Sequence, residues 1–275
     1  MSATAPPILW TPSPERVERA WLTRYQRWLE PRIGRTFADY AALQRWSVDE
    51  LDAFWRSIWD FFDVQADGSP ERVLGRRTMP GAEWFPDVAL NYAEHVFRDR
   101  DPHAVAIRHA GEGRPLAQTT WGELRALTAR IAAGLRAQGV TRGDRVVAYL
   151  PNVPEAIAAM LACASLGAVW SSCSPDFGAR SVVDRFAQIE PTVLLAVDGY
   201  RYNGRPFDRR DVVAGLMAQM PSLRSTVLLP YLDPAATLDG TLAWADFVAA
   251  GGGTTAGGGA TGGGGAAAAS GAAAG

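Results

Sequence analysis

GVTRGDRVVAYLPNVPEAIAAMLACASLGAVWSSCSPDFG, residues 139–178, reads as a turn, a buried strand, a helix and a second strand running into a loop. Val146-Val147-Ala148-Tyr149-Leu150 is an unbroken apolar run. A strand covered on both faces shows no alternation, so this run predicts a central strand of a parallel sheet. Asn152 and Pro154 open a helix, because proline in the first turn loses only an N–H that has no partner there. Ile157, Met160, Leu161 and Ala164 follow its apolar spacing, and Gly167 suits the left-handed position that ends it. Ala168–Ser172 form the next strand. Strand, crossover helix and parallel strand make a right-handed unit. Ligands of such sheets sit outside the carboxyl ends of the strands, which directs attention to Ser174-Pro175-Asp176-Phe177-Gly178.

Working outward, apolar runs and helical periods keep alternating. Ala104–Arg108 and Leu116–Thr119 read as a hairpin across Gly111-Glu112-Gly113. Thr120 and Glu123 form a capping box for a helix through Leu124, Leu127, Ile131 and Leu135 that Gly139 ends. Downstream, Ala179–Ile189 reads as helix, Thr192–Val197 as buried strand, Asp208–Met220 as helix, Ser225–Leu229 as strand and Leu242–Ala249 as helix. This alternation predicts an α/β fold with a doubly wound, mostly parallel sheet over 81–250.

Residues 1–80 read as a helical N-terminal extension rich in aromatics. Ser13 and Pro14 open one helix, and Val17, Trp21, Trp28 and Leu29 share a face. Ser47 and Glu50 match a capping box ahead of Leu51, Phe54, Trp55, Ile58, Trp59 and Phe62 at helical spacing. Seven of the ten tryptophans occur by Trp84, and the spacing predicts that their rings are core. Gly68–Arg77 reads as a loop, and a short helix is predicted from about Val88. Residues 251–275 are 12 glycines, 9 alanines, 3 threonines and 1 serine, a composition that predicts a disordered low-complexity tail. Gly251-x-Gly253-x-x-Ala256 matches a dinucleotide fingerprint only formally, since no buried strand leads into it.

Composition excludes several functions. The net charge of −2 gives no bulk attraction for nucleic acid. Cys163 and Cys173 are too few for a disulfide framework and read as buried free thiols. Residues 156–175 carry no charge, but Gly167, four serines and Pro175 interrupt them, so a buried helix–strand pair is expected rather than a membrane span. With no charged head before an apolar run at the N-terminus, a soluble cytoplasmic protein is expected. His95, His103 and His109 lack metal-ligand spacing, and neither GxSxG nor GxxxxGK[ST] occurs, so no catalytic or metal-binding residue is assigned. All 27 basic residues are arginine. One cluster stands out: Gly199-Tyr200-Arg201-Tyr202-Asn203-Gly204-Arg205 follows the TVLLAV strand at its carboxyl end. Two arginines and two tyrosines on a glycine-bearing turn suit a phosphate beside a purine ring. From these residues alone a solvated loop is the favoured reading, with Arg209 and Arg210 balanced by Asp208 and Asp211.

Residues 9–248 resemble the N-terminal part of the AMP-forming acyl-CoA synthetases. The resemblance is carried by LWTPSPERVE (9–18), FADYAALQRWSVDELDAFWRSIWDFF (37–62), RTMPGAEWFPDVALNYAEHVF (77–97), TTWGELRALTARIAAGLRAQGV (119–140) and LGAVWSSCSPDFG (166–178). The tryptophan-rich head and the WFP…LNYAEH run point within that family to its acetoacetate-activating ligases. Fragments of acetate- or propionate-activating relatives, or a non-catalytic coenzyme A-binding or assembly module, are the alternatives. The resemblance implies ATP, Mg2+ and coenzyme A as cofactors, and acetoacetate and coenzyme A as small-molecule partners, with neither nucleic acid nor membrane. The carboxylate would be activated as a mixed anhydride with AMP, which the coenzyme A thiol then attacks. The family's ATP loop ends in lysine soon after the position of Trp244, where the glycine–alanine tract stands here, and the chain has no lysine. A truncated chain, inactive alone, is therefore expected. Arg201 and Arg205 match positions that contact the nucleotide end of coenzyme A in relatives, and Asp176 and Phe177 correspond to a loop near its pantetheine arm.

Overall fold

The structure, a computed structural model, describes residues 8–250. The tract 251–275 and its formal fingerprint lie outside the described residues. Contacts divide the chain into two units at 95/96.

The first unit contains α1 (Pro14–Glu18), α2 (Trp21–Ile33), α3 (Tyr40–Asp49) and α4 (Leu51–Phe61). Four short strands follow: β1 (Asp67–Gly68), β2 (Leu74–Arg76), β3 (Glu83–Trp84) and β4 (Val88–Ala89). Helix α5 (Tyr92–Phe97) follows and runs across the 95/96 division. The expected boundary at 80/81 falls inside this unit. Antiparallel pairing of β2 with β3 and of β1 with β4 ties residues beyond 81 to those before it. Tyr25, Leu29, Phe37, Leu43 and Trp46 form the core. The Tyr25 hydroxyl meets the Ser57 hydroxyl at 2.6 Å, and burial pushes its phenol up.

Three expectations for this unit are corrected. Ser47 lies inside α3 and donates to the Gln44 carbonyl, so no capping box forms there; Asp39 caps α3 instead, accepting from Ala42 N–H. Val88 belongs to a strand, and the helix begins at Tyr92, with the Asn91 side chain accepting from Ala93 and Glu94 N–H. Of the seven early tryptophans, Trp46 is buried, while Trp10, Trp21, Trp55 and Trp84 are exposed. The exposed rings pack edge-on against one another or under guanidinium groups. Trp55 meets Trp84 at 5.5 Å, and Arg24 lies 5.1 Å from the Trp21 ring centre.

The second unit opens with the hairpin β5 (Val105–Gly111) and β6 (Arg114–Thr120), followed by α6 (Trp121–Ala137). The core then alternates β7 (Arg145–Tyr149), α7 (Pro154–Leu166), β8 (Val169–Cys173), α8 (Ala179–Phe186) and β9 (Val193–Val197). A second hairpin, β10 (Gly199–Tyr202) and β11 (Arg205–Asp208), precedes α9 (Arg210–Gln219), β12 (Ser225–Leu229), β13 (Leu242–Ala243) and α10 (Trp244–Ala249). The main sheet has the order β13-β12-β9-β7-β8, with every pair parallel. The doubly wound α/β architecture is present, and its strand order reverses between β7 and β9.

The unbroken apolar runs occupy the middle of this sheet. Val146, Val147, Ala148 and Tyr149 are fully buried, as is all of β9. Val147, Tyr149, Leu194 and Ala196 face a core formed with Val182, Phe186, Val213 and Leu216 of α8 and α9. Helices α6, α7 and α10 pack together. A Cβ added at Gly134 of α6 would stand 2.8 Å from the Phe247 ring of α10, so that helix crossing needs glycine. The predicted capping box forms: the Thr120 hydroxyl accepts from Glu123 N–H, and the Glu123 carboxylate accepts from Thr120 N–H at 2.7 Å. Gly167 ends α7 at φ 68°. Among the described residues no helix is long and apolar enough to cross a membrane.

Burial pushes the Cys163 thiol up to about 12. A maleimide at neutral pH is expected to leave Cys163 unmodified until urea unfolds the chain; labelling of native Cys163 would contradict its burial. Hydrogen bonds from the Thr120 and Thr141 N–H groups hold Glu123 and Asp144 below the ordinary carboxylate range. Their stabilisation is complete above about pH 5 and is lost as pH falls through the unfolded and then the depressed values. Urea unfolding should therefore show lower stability at pH 3 than at pH 6. Glu123→Gln with Asp144→Asn should narrow that gap.

Candidate functional site

At the carboxyl end of β9, Asp198 is buried, 2% exposed. A buried carboxylate is costly unless its lone pairs are filled. Its Oδ1 accepts from Tyr231 N–H at 2.6 Å and Leu232 N–H at 2.8 Å, and its Oδ2 from Asp233 N–H at 2.7 Å. Its own N–H donates to the Leu229 carbonyl, and its carbonyl accepts from Arg209 N–H at 2.7 Å. Both ends of the β10–β11 hairpin therefore meet at one residue. Gly199 begins the hairpin where a Cβ would stand 2.7 Å from Leu232 Cδ2.

The hairpin turns at Asn203 (φ 50°) and Gly204 (φ 75°), both left-handed. Asn-Gly in this conformation matches the right-handed twist of the paired strands. Sequence reading treated 199–205 as a turn, yet the Asn-Gly pair was a hairpin signal available in the sequence. Tyr200 stands opposite Phe207, and Tyr202 opposite Arg205. The Tyr200 and Phe207 rings stack at 5.2 Å. The register places Arg205 on the face of Tyr200, Tyr202 and Phe207, and Arg201 on the other face. Arg201 passes Gly113 at the β5–β6 turn, where a Cβ would lie 3.6 Å from Arg201 Cδ.

The balanced charge pattern expected for Arg209 and Arg210 does not form. Arg210 pairs with Asp208, holding that carboxyl below its usual range. Arg209 turns inward instead. Its Nε donates to the Pro175 carbonyl at 2.9 Å and a terminal nitrogen to the Tyr200 hydroxyl at 2.9 Å, with the guanidinium 5.1 Å from the Tyr200 ring centre. The Tyr149 hydroxyl donates to the Pro175 and Phe177 carbonyls at 2.7 and 3.1 Å, and burial pushes its phenol up to about 12. These bonds join the loop bearing Asp176 and Phe177 to the hairpin bearing Arg201 and Arg205. Asp176 and Phe177 are exposed, with Arg185 over the Phe177 ring at 4.9 Å. Arg201 and Arg205 are exposed and have no carboxylate partner among the described residues. Sequence reading missed Arg209 and Tyr149 as struts, because no local spacing marks a contact to a carbonyl 34 or 26 residues away. Among the described residues no group of three or more His, Cys, Asp or Glu could hold a metal ion.

Comparison with known proteins fits this layout. The profile of the AMP-binding enzyme family matches residues 94–251, and that of the acetyl-coenzyme A synthetase N-terminus matches residues 40–96. The chain is 44% identical over 246 residues to the acetoacetyl-coenzyme A synthetase of Rhizobium meliloti (strain 1021), covering 88% of this chain and 37% of that protein. It is 36% identical over 252 residues to the acetoacetyl-CoA synthetase of Danio rerio, covering 89% and 37%. The solved acetoacetyl-CoA synthetase from Streptomyces lividans superposes with a TM-score of 0.83 at 51% identity, over 89% of this chain and 38% of that one. The chain thus spans well under half the length of these relatives.

Tyr149→Phe should strand the Pro175 and Phe177 carbonyls. It is expected to cost about 1–3 kcal/mol in urea unfolding. A neutral substitution would show that water replaces the hydroxyl at no cost.

Proposed function

Because the chain belongs to the AMP-binding enzyme family, we propose that its chemistry is that of an acetoacetate–CoA ligase: ATP, acetoacetate and coenzyme A giving acetoacetyl-CoA, AMP and diphosphate. The names of the relatives at 44% and 51% identity support acetoacetate as the acid. In this chain's own residues the reading centres on coenzyme A. One observation carries it: Arg201 and Arg205 flank a hairpin turn at the carboxyl edge of the sheet, free of carboxylates, while Arg209 and Arg210 beside them are committed.

A guanidinium suits phosphate through paired N–H donors. Coenzyme A carries phosphate in two places, a diphosphate and a ribose 3′-phosphate. Two arginines on opposite faces of a narrow ribbon suit two separated phosphate groups better than one. The ring of Tyr202, exposed beside Arg205, offers a face for adenine. Phe177, with Asp176, is assigned to the pantetheine arm on the neighbouring loop. The reading has a cytoplasmic enzyme with small-molecule partners and neither nucleic acid nor membrane; a net charge of −2 supports the first exclusion. ATP brings the leaving group and Mg2+ offsets phosphate charge in such a reaction. The described residues offer no acidic cluster for that ion, and no step is derived through it.

A second reading, a coenzyme A-binding module without turnover of its own, is favoured by the absence of lysine from all 275 residues. AMP release dependent on ATP, acetoacetate and coenzyme A tests this second reading: the chain alone is expected to release none, and robust turnover would remove it. Calorimetric titration with coenzyme A tests the site. Arg201→Ala with Arg205→Ala should weaken binding by about 10- to 100-fold, two charge-assisted contacts being lost. Identical heats for variant and wild type would take both arginines out of the site.

A further inference from the structure

The two central residues of a two-residue hairpin turn direct their N–H groups away from the strand ladder. In the β10–β11 hairpin those groups belong to Asn203 and Gly204, both with positive φ. They do not point into bulk water. Asn203 N–H donates to Glu112 Oε1 at 2.7 Å, and Gly204 N–H donates to Glu112 Oε2 at 2.7 Å. One carboxylate thus uses both oxygens to hold both free amides of a turn 91 and 92 residues away. Such charge-assisted bonds are the stronger kind.

Glu112 is itself well placed to act as an anchor. It sits in the two-residue loop between β5 and β6, next to the closing pair Gly111–Arg114. Arg114 donates to the Tyr231 carbonyl at 2.6 Å and lies 3.8 Å from the Tyr231 ring centre. Tyr231 N–H in turn donates to Asp198. The contacts Asp198–Tyr231–Arg114 and, two residues back along the same turn, Glu112–Asn203 therefore lead back to the hairpin they started from. Asp198 and Arg209 hold the hairpin's base, and Glu112 holds its tip.

Arg205 follows Gly204 directly, and Arg201 lies two residues before Asn203. We infer that Glu112 is a positioning residue for the phosphate-contacting arginines: by tethering the turn amides it holds Arg201 and Arg205 where coenzyme A meets them. The inference rests on the coenzyme A reading given above. Both Glu112 oxygens accept from the turn amides, and among the described residues Glu112 makes no ion pair with Arg201. The tether keeps both guanidinium groups available to an anionic ligand.

The test compares wild type, Glu112→Gln and Glu112→Ala in the full chain by three measurements. Amide hydrogen exchange reads the tether: Asn203 and Gly204 should be protected in wild type and exchange at solvent rates in Glu112→Ala. Calorimetry with coenzyme A reads its consequence. Affinity should fall about tenfold in Glu112→Ala and about threefold in Glu112→Gln, which keeps one acceptor. The thermal midpoint should move by no more than about 3 °C, since an exposed turn contributes little to global unfolding. Adding Glu112→Ala to Arg201→Ala/Arg205→Ala should cause no further loss, because Glu112 acts through those residues. Equal protection in wild type and Glu112→Ala, unchanged affinity in Glu112→Ala, or a further tenfold loss on the arginine-free background each overturns the inference while leaving coenzyme A binding intact. No coenzyme A heat in wild type overturns the cofactor reading and this inference together.

Discussion

Everything at the carboxyl edge of the sheet depends on one buried carboxylate. Asp198 follows β9 at a buried position, and three backbone amides fill the lone pairs of its carboxylate. Those amides belong to the segment after β12, so the charge ties the ends of two neighbouring strands together. Its own peptide groups bond Leu229 and Arg209. A ten-residue excursion, 199–208, can therefore leave the sheet and return to the same residue without loosening the core beneath it.

This arrangement separates rigidity from availability. The hairpin is fixed by backbone groups, by stacked Tyr200 and Phe207, and by an arginine turned inward. The side chains that remain unpaired stand on a stiff platform rather than on a mobile loop. Ion pairs such as Arg210 with Asp208, roughly half exposed, add little stability. They matter more in deciding which cations are left over. The same logic holds for Tyr149, whose body packs in the core while its hydroxyl supports the loop after β8.

Where sequence reading failed, a local rule met a competing local or tertiary partner. Ser47 and Glu50 have capping-box spacing, but Asp39 had already started a helix that runs through Ser47. Val88 begins a helical-looking stretch, yet its backbone pairs with Gly68. The early tryptophans were expected as core because apolar residues at helical spacing usually are. A small helical unit has too little interior for so many indoles, and several pack at the surface against one another or beneath guanidinium groups.

The sequence by itself determined the central strands of the sheet, its winding and the ends of α6 and α7. A strand buried on both faces must be largely apolar, and a cap or a left-handed glycine acts within four residues, so β9, the Val146–Tyr149 run of β7, the Thr120 cap and Gly167 are written locally. Only the tertiary structure decided which arginines are free. Arg201, Arg205, Arg209 and Arg210 are chemically alike and lie within ten positions of one another. Arg210 meets Asp208 two residues away, but Arg209 is committed to a carbonyl at Pro175 and the turn between Arg201 and Arg205 to a carboxylate at Glu112, and contacts across such separations obey the meeting of folded surfaces, which no periodicity along the chain encodes.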